Sequence, residues 1–460
     1  MISPSIATRH RRADAITVLA TLTCLHTAAA ADGALDGTFG LFGAVSVDPP
    51  GYTGTAPVRA DVDGQGNIVG CVVVNQNPAN PFLARLSPSG ATDTGFGNGG
   101  TLNVALPSGA TDLQCNGFAA AADGRLWLGG VGGSNVYVLR RLANGSPDTT
   151  FANGGVLALP RTHIDFIEDI KLRPDGSAIV AGERMTASGW RFSVFHVLAN
   201  GAVDGNFGTD GFQVFDGFSA FMTSTRDDYL TRIALAPDGG IALIGYVKPT
   251  ATGNSDFAVA RLTADGGLDN AFGNSAAVTI AFDLGLSNVD AAFDGRYDSQ
   301  GRLVIAGRAQ RNTAGDTDMA VARLLANGSP DSSFVGGSGK RTIAFDLDGA
   351  AGDSAYAIAI QSDGKILLAG YAGHVNATTR DDWAFARLQT NGGLDASFGT
   401  GGKVTLGWNL GGGNYDAVHA LLPSAGRYIA FGASSTGTSA YSLILARLQN
   451  DLIFADPLGG

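Results

Sequence analysis

The sequence predicts an all-β fold assembled from seven copies of one unit, and three observations carry that prediction. Asp, two residues and Phe recur at Asp36/Phe39, Asp93/Phe96, Asp148/Phe151, Asp204/Phe207, Asp269/Phe272, Asp331/Phe334 and Asp395/Phe398, a repeat of about 60 residues. Between successive motifs lie short apolar runs bounded by turn signals, the pattern of strands. Glycine makes up 67 of 460 residues with no Gly-X-Y period, which places it in turns between strands.

The copy from Leu394 to Leu448 shows the elements in order. After Leu394-Asp395-Ala396-Ser397-Phe398-Gly399 comes a first run, Lys403–Leu406, then a second, Asp416–Leu422, a third, Tyr428–Gly432, and a fourth, Ser442–Leu448. Four runs with turns between them predict a four-stranded antiparallel meander. The third run follows Asp-Gly in Asp363-Gly364 and Asp175-Gly176, and Asp-Gly supplies the positive φ of a tight hairpin. The fourth run alternates bulky residues with Ala, as in Phe257-Ala258-Val259-Ala260 and Trp383-Ala384-Phe385-Ala386. Neither face is polar, so both faces are expected to be buried, with the large side chains of one sheet in the shallow Ala face of the next. An Arg closes this run at Arg85, Arg141, Arg261, Arg323, Arg387 and Arg447, with Val197 in its place in the third copy. It is expected to pair with an Asp of a neighbouring turn.

Sheets that stack face on face can form a line or a ring. A linear stack needs polar terminal copies, and the terminal copies here are as apolar as the middle ones. The fold class expected is therefore a seven-bladed β-propeller of four-stranded antiparallel blades. Eight blades is the alternative, because Asp451 to Phe454 repeats the motif once more.

The first residues read as an export signal. Arg9, Arg11 and Arg12 precede an apolar stretch, Ile16–Leu25, too short to span a bilayer, and Ala28–Ala31 offers small residues for cleavage. The expected organisation is a signal peptide over 1–31 and one propeller domain over 32–460, in the periplasm or secreted. Losing three arginines and Asp14 takes the formal charge from −11 to −13. No basic block interleaved with aromatics occurs after the signal, so nucleic acid is not an expected partner. No later segment is long and apolar enough for a transmembrane helix, and a monomer is expected.

Three phased motifs, Leu394-Asp395-Ala396-Ser397-Phe398-Gly399-Thr400-Gly401-Gly402, Gln361-Ser362-Asp363-Gly364-Lys365-Ile366-Leu367-Leu368-Ala369-Gly370 and Phe385-Ala386-Arg387-Leu388, resemble the bacterial delta-60 repeat. The resemblance runs over roughly residues 33 to 450. It implies a propeller domain of unknown function in an exported protein, and it implies no reaction.

The Phe residues of the motif, Phe39, Phe96, Phe151, Phe207, Phe272, Phe334 and Phe398, are expected to fill the crevices between blades, with each Asp capping its turn. Asp165, Asp228, Asp290 and Asp353 share one phase ahead of the Asp-Gly turn, and Asp112 and Asp416 fall within one position of it. Sevenfold geometry would set these six on one rim, where they either bind a cation or basic partner or cap their own turns. Asp61-Val62-Asp63-Gly64-Gln65-Gly66 opens like a calcium loop but has Val72 where the bidentate Glu belongs. Asn312, Asp316 and Asp318, with Asp381 and Asp382 one copy later, form a polar loop cluster without metal-ligand spacing. Cys71 and Cys115 lie in adjacent units and are a candidate disulfide, which export permits.

Catalytic motifs are missing. His163, His196, His374 and His419 stand singly, and no Gly-x-Ser-x-Gly, His-Glu-x-x-His or phosphate-binding loop occurs. No cofactor is expected. Two classes of function remain: a non-enzymatic binding or scaffold protein presenting variable rim loops to a protein, glycan or envelope component, or a propeller hydrolase or lyase with a metal-dependent site in the central channel. His, Asp, Glu and Asn converging on the axis would favour the second; an axis of Ala, Gly and aliphatics would favour the first.

Overall fold

The computed structural model describes residues 32–49, 58–74, 80–110, 113, 115–220, 226–249, 254–285, 289–311, 315–349, 351–375, 381–408, 410, 415–437 and 440–449. These form seven four-stranded sheets, every neighbouring pair of strands antiparallel, and only two 3-10 turns, Gly217–Ala220 and Val335–Gly337. The chain is a seven-bladed β-propeller. The inner strands of blades 1 to 7 are Val58–Val62, Gly117–Ala120, Phe166–Leu172, Arg226–Leu235, Ala291–Tyr297, Asp353–Ile360 and Asp416–Ser424. The candidate export signal, Asp112, Asn312 and the additional motif at Asp451 to Phe454 lie outside the described residues.

The blades do not coincide with the sequence unit. The run following Asp-x-x-Phe does not open a blade; it completes the preceding one, as Lys403–Leu406 does by pairing with Trp383–Ala386. The physical reason is the motif itself, a tight turn that reverses the chain from a third strand onto a fourth. The offset leaves blade 7 with three strands of its own, Asp416–Ser424, Arg427–Gly437 and Ala440–Leu448, and its outer strand comes from the other end of the chain. Ala44–Val47 pairs with Leu443–Ala446, so the N-terminal segment closes the ring.

Adjacent blades pack as the alternation of bulky and small residues requires. Phe192 and Val194 of blade 3 meet Ala258 and Ala260 of blade 4, and Met319 and Val321 of blade 5 meet Ala384 and Ala386 of blade 6. Phe39, Phe96, Phe151, Phe207, Phe272, Phe334 and Phe398 are all buried.

A repeated polar clamp accompanies this packing. In the turn at Asp395, one carboxylate oxygen accepts the N–H and hydroxyl of Ser397 while the other accepts Arg387 Nε at 2.7 Å, and the guanidinium lies 4.9 Å from the Phe398 ring. Asp331 with Arg323 and Phe334, Asp148 with Arg140 and Phe151, and Asp36 with Arg447 and Phe39 repeat the arrangement. The sequence places the blade 2 cation at Arg141 and finds Val197 in blade 3, but register corrects both: Leu126 pairs with Arg141, so Arg140 occupies the clamp position, and in blade 3 His196 does, 3.0 Å from Asp204. Each clamp also reaches the next blade. The residue after the Phe donates its N–H to the following blade's turn, as in Gly208 to Asp265, Gly273 to Asn327 and Val335 to Asn391.

Cys71, on the second strand of blade 1, and Cys115, just before the inner strand of blade 2, are joined by a disulfide with a Cα separation of 6.1 Å and a sequence separation of 44.

Truncating Phe272 to Ala should destabilise the chain by about 3 to 5 kcal/mol, read as a lowered denaturation midpoint, because the buried ring leaves an interblade cavity. An unchanged midpoint would contradict its packing role. Replacing Cys71 and Cys115 by Ser should cost about 3 to 4 kcal/mol through the freed loop; two titratable thiols in denatured, unreduced protein lacking residues 1–31 would contradict the bridge.

Candidate functional site: the central channel and its mouth

All seven inner strands start at the same face of the ring, so positions counted from their repeated Asp fall at one level. Three residues past Asp165, Asp228, Asp290, Asp353 and Asp416 stand Glu168, Thr231, Phe293, Tyr356 and His419. At each of them the pairing register slips, between Ile167 and Asp169, Leu230 and Arg232, Ala292 and Asp294, Ala355 and Ala357, and Val418 and Ala420. A bulge leaves its extra residue out of the ladder and re-aims its side chain. The bulged side chains are half-buried, each following a buried apolar residue, and several meet across blade boundaries. Phe293 lies 5.0 Å from Tyr356, Tyr356 stacks on His419 at 5.6 Å and 4°, and Glu168 accepts a 3.3 Å hydrogen bond from Asn116 of blade 2. This belt of aromatic and polar groups lines the axis.

One step deeper the channel is charged. Asp169 accepts the N–H of Ile233 on the next inner strand at 2.9 Å as well as that of Ile170, and Lys171 Nζ lies 2.9 Å from it. Asp294 accepts from Ile358 and Gly295, and Asp61 from Ala120 and Val62. Three carboxylates thus staple blades 1 to 2, 3 to 4 and 5 to 6 near the axis, balanced by Arg59, Lys171, Arg232 and Arg296. Burial, with Arg232 adding like charge, pushes Arg59 down to about 10. Burial, with Arg59 and Arg232 close by, pushes His419 down to about 3, so its imidazole is neutral and can accept a hydrogen bond.

Toward the strand-start face the channel widens into an aromatic mouth. Tyr229 stacks on Tyr246 at 5.0 Å and 28°, and Tyr371 lies 5.6 Å from Tyr356. Between blades 4 and 5 a cleft of about 220 Å³ is lined by Tyr229, Tyr246, Lys248, Ser255, Val289, Ala291, Phe293 and Arg308. That is below the roughly 300–1,000 Å³ of pockets for drug-sized ligands and suits a single ring.

The described Asp residues proposed for the rim are buried at the starts of the inner strands. Asp290 accepts the N–H groups of Phe282 and Gln310, Asp353 those of Phe345 and Gly373, and Asp416 those of Trp408 and Ser435. Asp165 accepts from Met185 N–H and Arg184, and Asp228 pairs with Arg226 at 2.9 Å. Asp63 caps its own turn through the N–H groups of Gln65 and Asn67. Asp318 pairs with Arg311 at 3.1 Å, and Asp382 lies 3.7 Å from His374. Among the described residues no three His, Cys, Asp or Glu stand together as metal ligands. Sequence reasoning noted His419 only as one of four lone histidines and passed over Glu168, Phe293, Tyr356 and Arg308. One signal could have found the belt: the residue three past the repeated Asp changes chemistry from copy to copy while the residue before it stays apolar, as Ile167, Leu230, Ala292, Ala355 and Val418.

Three stretches, residues 236–272, 299–334 and 361–398, match the model of a family described as a beta-propeller domain of unknown function, DUF5122. Each ends on the Phe of an Asp-x-x-Phe turn. No curated protein matches the sequence. Among solved structures the chain is similar to the polysaccharide lyase Uly1, with a TM-score of 0.51 at 11% identity over 88% of this chain and 91% of that one. A PL25 ulvan lyase bound to -[GlcA(1-4)Rha3S]- gives 0.46 at 11% over 86% and 95%, and the β-propeller domain of the Trilobed protease from Pyrococcus furiosus 0.42 at 9% over 87% and 98%. At 11% identity the Uly1 likeness extends to the fold alone. No helix among the described residues is long and apolar enough to cross a membrane.

The mouth also sets a pH dependence. Burial, with Glu168 adding like charge, pushes Glu183 up to about 8, and burial pushes Asp353 up to about 7. In the folded chain each keeps a proton that the unfolded chain has already lost, so stability falls as pH rises through the window from about 4.5 to 8. His419 acts the other way, but only below its ordinary value of 6.5. From about pH 6.5 to 8 the melting temperature should therefore decline, and Glu183→Gln, whose amide oxygen can still accept the Leu230 N–H, should flatten that decline, each pH unit being worth up to about 1.4 kcal/mol. Parallel profiles for the two proteins would refute the assignment.

Proposed function

We propose that this protein is an exported binding protein that takes a saccharide or comparably ring-shaped polar ligand at the mouth of its central channel, on the face where the inner strands start. The observation that carries the reading is the belt at the bulges. The axis could have been closed with Ala and Leu; it presents Glu168, Thr231, Phe293, Tyr356 and His419, with Asn116 beside Glu168. Aromatic faces beside hydrogen-bonding groups suit a ligand with apolar ring faces and polar edges. Export rests on the N-terminal signal read in the sequence and accords with the Cys71–Cys115 bridge.

A second reading, a hydrolase or lyase acting in the same channel, is favoured by the approach of Arg59 and Arg232 to the neutral His419, with Glu168 beside Arg59, since guanidinium groups that neutralise a substrate's charge next to carboxyl and imidazole groups are the equipment of acid–base chemistry.

Retention on immobilised polysaccharides tests the proposal. Wild-type protein should be retarded by at least one cell-envelope or matrix polysaccharide, and Tyr356→Leu should weaken retention about tenfold, a loss of about 1.4 kcal/mol. Phe42→Ser, at an exposed position, should leave it intact. Equal retention of all three proteins would overturn the channel reading. Release of new chain ends from the retained polymer would replace binding by catalysis.

A further inference from the structure

We propose that the cleft between blades 4 and 5 is a subsite for a hexuronate, its pyranose ring on the Tyr229–Tyr246 platform and its carboxylate on Arg308; this rests on the channel-mouth reading above. The two tyrosines, on neighbouring strands of blade 4, present a double aromatic surface on one wall. Arg308 reaches the cleft from the middle strand of blade 5, its guanidinium 5.7 Å from the Phe293 ring. Its Nε is buried and has no hydrogen-bond partner. Because Nε is closed to solvent, a carboxylate in the cleft meets Arg308 through a terminal guanidinium nitrogen, a charge-assisted contact stronger than a neutral one.

The electrostatics agree with that geometry. Lys248, exposed at the edge of the cleft, adds a second cation, and among the described residues neither it nor Arg308 forms an ion pair. Asp227 faces Lys248 in the strand register, accepts the Trp190 N–H at 3.0 Å and lies close enough to the Tyr229 hydroxyl to join burial, the larger cause, in raising its pKa, so it offsets one of the two cations and leaves the other. Glu183, one blade away, carries its proton at neutral pH and does not offset them. The cleft is thus locally positive in a chain of formal charge −11. A neutral sugar could use the tyrosines but would leave Arg308 unsatisfied, and this predicts selection for the acid.

Calorimetric titration with trigalacturonate and, separately, maltotriose tests it. Wild-type protein should bind trigalacturonate at least tenfold more tightly than maltotriose, with the difference shrinking at high salt. Arg308→Gln should abolish that preference, Lys248→Gln should reduce it, and Tyr246→Leu should weaken trigalacturonate about tenfold, each with an unshifted melting temperature that shows the fold intact. A preference that survives Arg308→Gln, or equal binding of the two trisaccharides, overturns the subsite. Trigalacturonate binding that is indifferent to Arg308→Gln and lost in Tyr356→Leu overturns the subsite while upholding the channel reading. No binding of either trisaccharide also overturns it, and retention on polysaccharides then judges the channel separately.

Discussion

The buried clamp of Asp, Arg and Phe is the interaction on which the rest of this molecule depends. A propeller blade is apolar on both faces and stable only between neighbours, so the fold must fix the angle and register of each blade against the next. The clamp does this with four linked contacts: the Asp caps its own turn, the Arg grips the Asp, the Phe lies under the guanidinium, and the turn donates to the following blade. Its ion pair is out of water, where removing one partner is far more damaging than the pair's net contribution, about 3 to 5 kcal/mol against little or nothing. Blade 3 retains the arrangement with His196 in place of Arg, and there Ser177 engages the other ring nitrogen at 2.8 Å.

Ring closure uses the same device at the one junction the chain cannot connect covalently. Asp36 belongs to the N-terminal segment and Arg447 to the last strand of blade 7, yet they form the clamp that consecutive residues form elsewhere, and Arg427 joins them. Asp32 pairs with Arg387 of blade 6, and Gly399 donates to the Asp32 carbonyl. The first described residues therefore take the place of the next blade's turn. Closure by strand exchange buries the edge that blade 7 would otherwise expose, and an unpaired edge invites association with other chains.

How far this was legible in the sequence follows from what repeats. The Asp-x-x-Phe turn, the Asp-Gly hairpin and the bulky/Ala alternation recur because every blade needs them, and they were enough for blade number, strand order and interblade packing. The strand frame was not, since a unit of four strands looks the same whichever strand is counted first; only the turn's role as a hairpin decides it. Arg141 was chosen over Arg140 because adjacent arginines fit one period-two pattern in either phase, and a slip of one residue moves a side chain to the opposite face. The channel was illegible for a different reason. Its residues share a position but no chemistry, so no motif links Glu168 to Tyr356 or His419, and Arg308 joins the mouth only through the fold.

The clamps and the mouth lie at opposite faces. The Asp-x-x-Phe turns gather where the inner strands end, and the aromatic belt stands near where they begin, with the stapling carboxylates Asp61, Asp169 and Asp294 between them. Each of those carboxylates gives one oxygen to a backbone N–H of the next blade and the other to the N–H that follows it in its own strand, and together with the clamps they tie the blades to one another. Most side chains at the bulges are thereby released from structural duty; Thr231 is the exception, its hydroxyl donating to the Ile244 carbonyl and to that of Ala292 on blade 5. A residue three past the repeated Asp can therefore be Glu, Phe, Tyr or His, and that freedom is what lets a sevenfold scaffold present an asymmetric surface. At the bulges the asymmetry is ordered: the rings of Phe293, Tyr356 and His419 stand on blades 5 to 7, while Asn116 and Glu168 occupy blades 2 and 3. A ligand at this face would meet a stacking wall on one side and a hydrogen-bonding wall on the other, a division that fixes its orientation before any single contact fixes its identity.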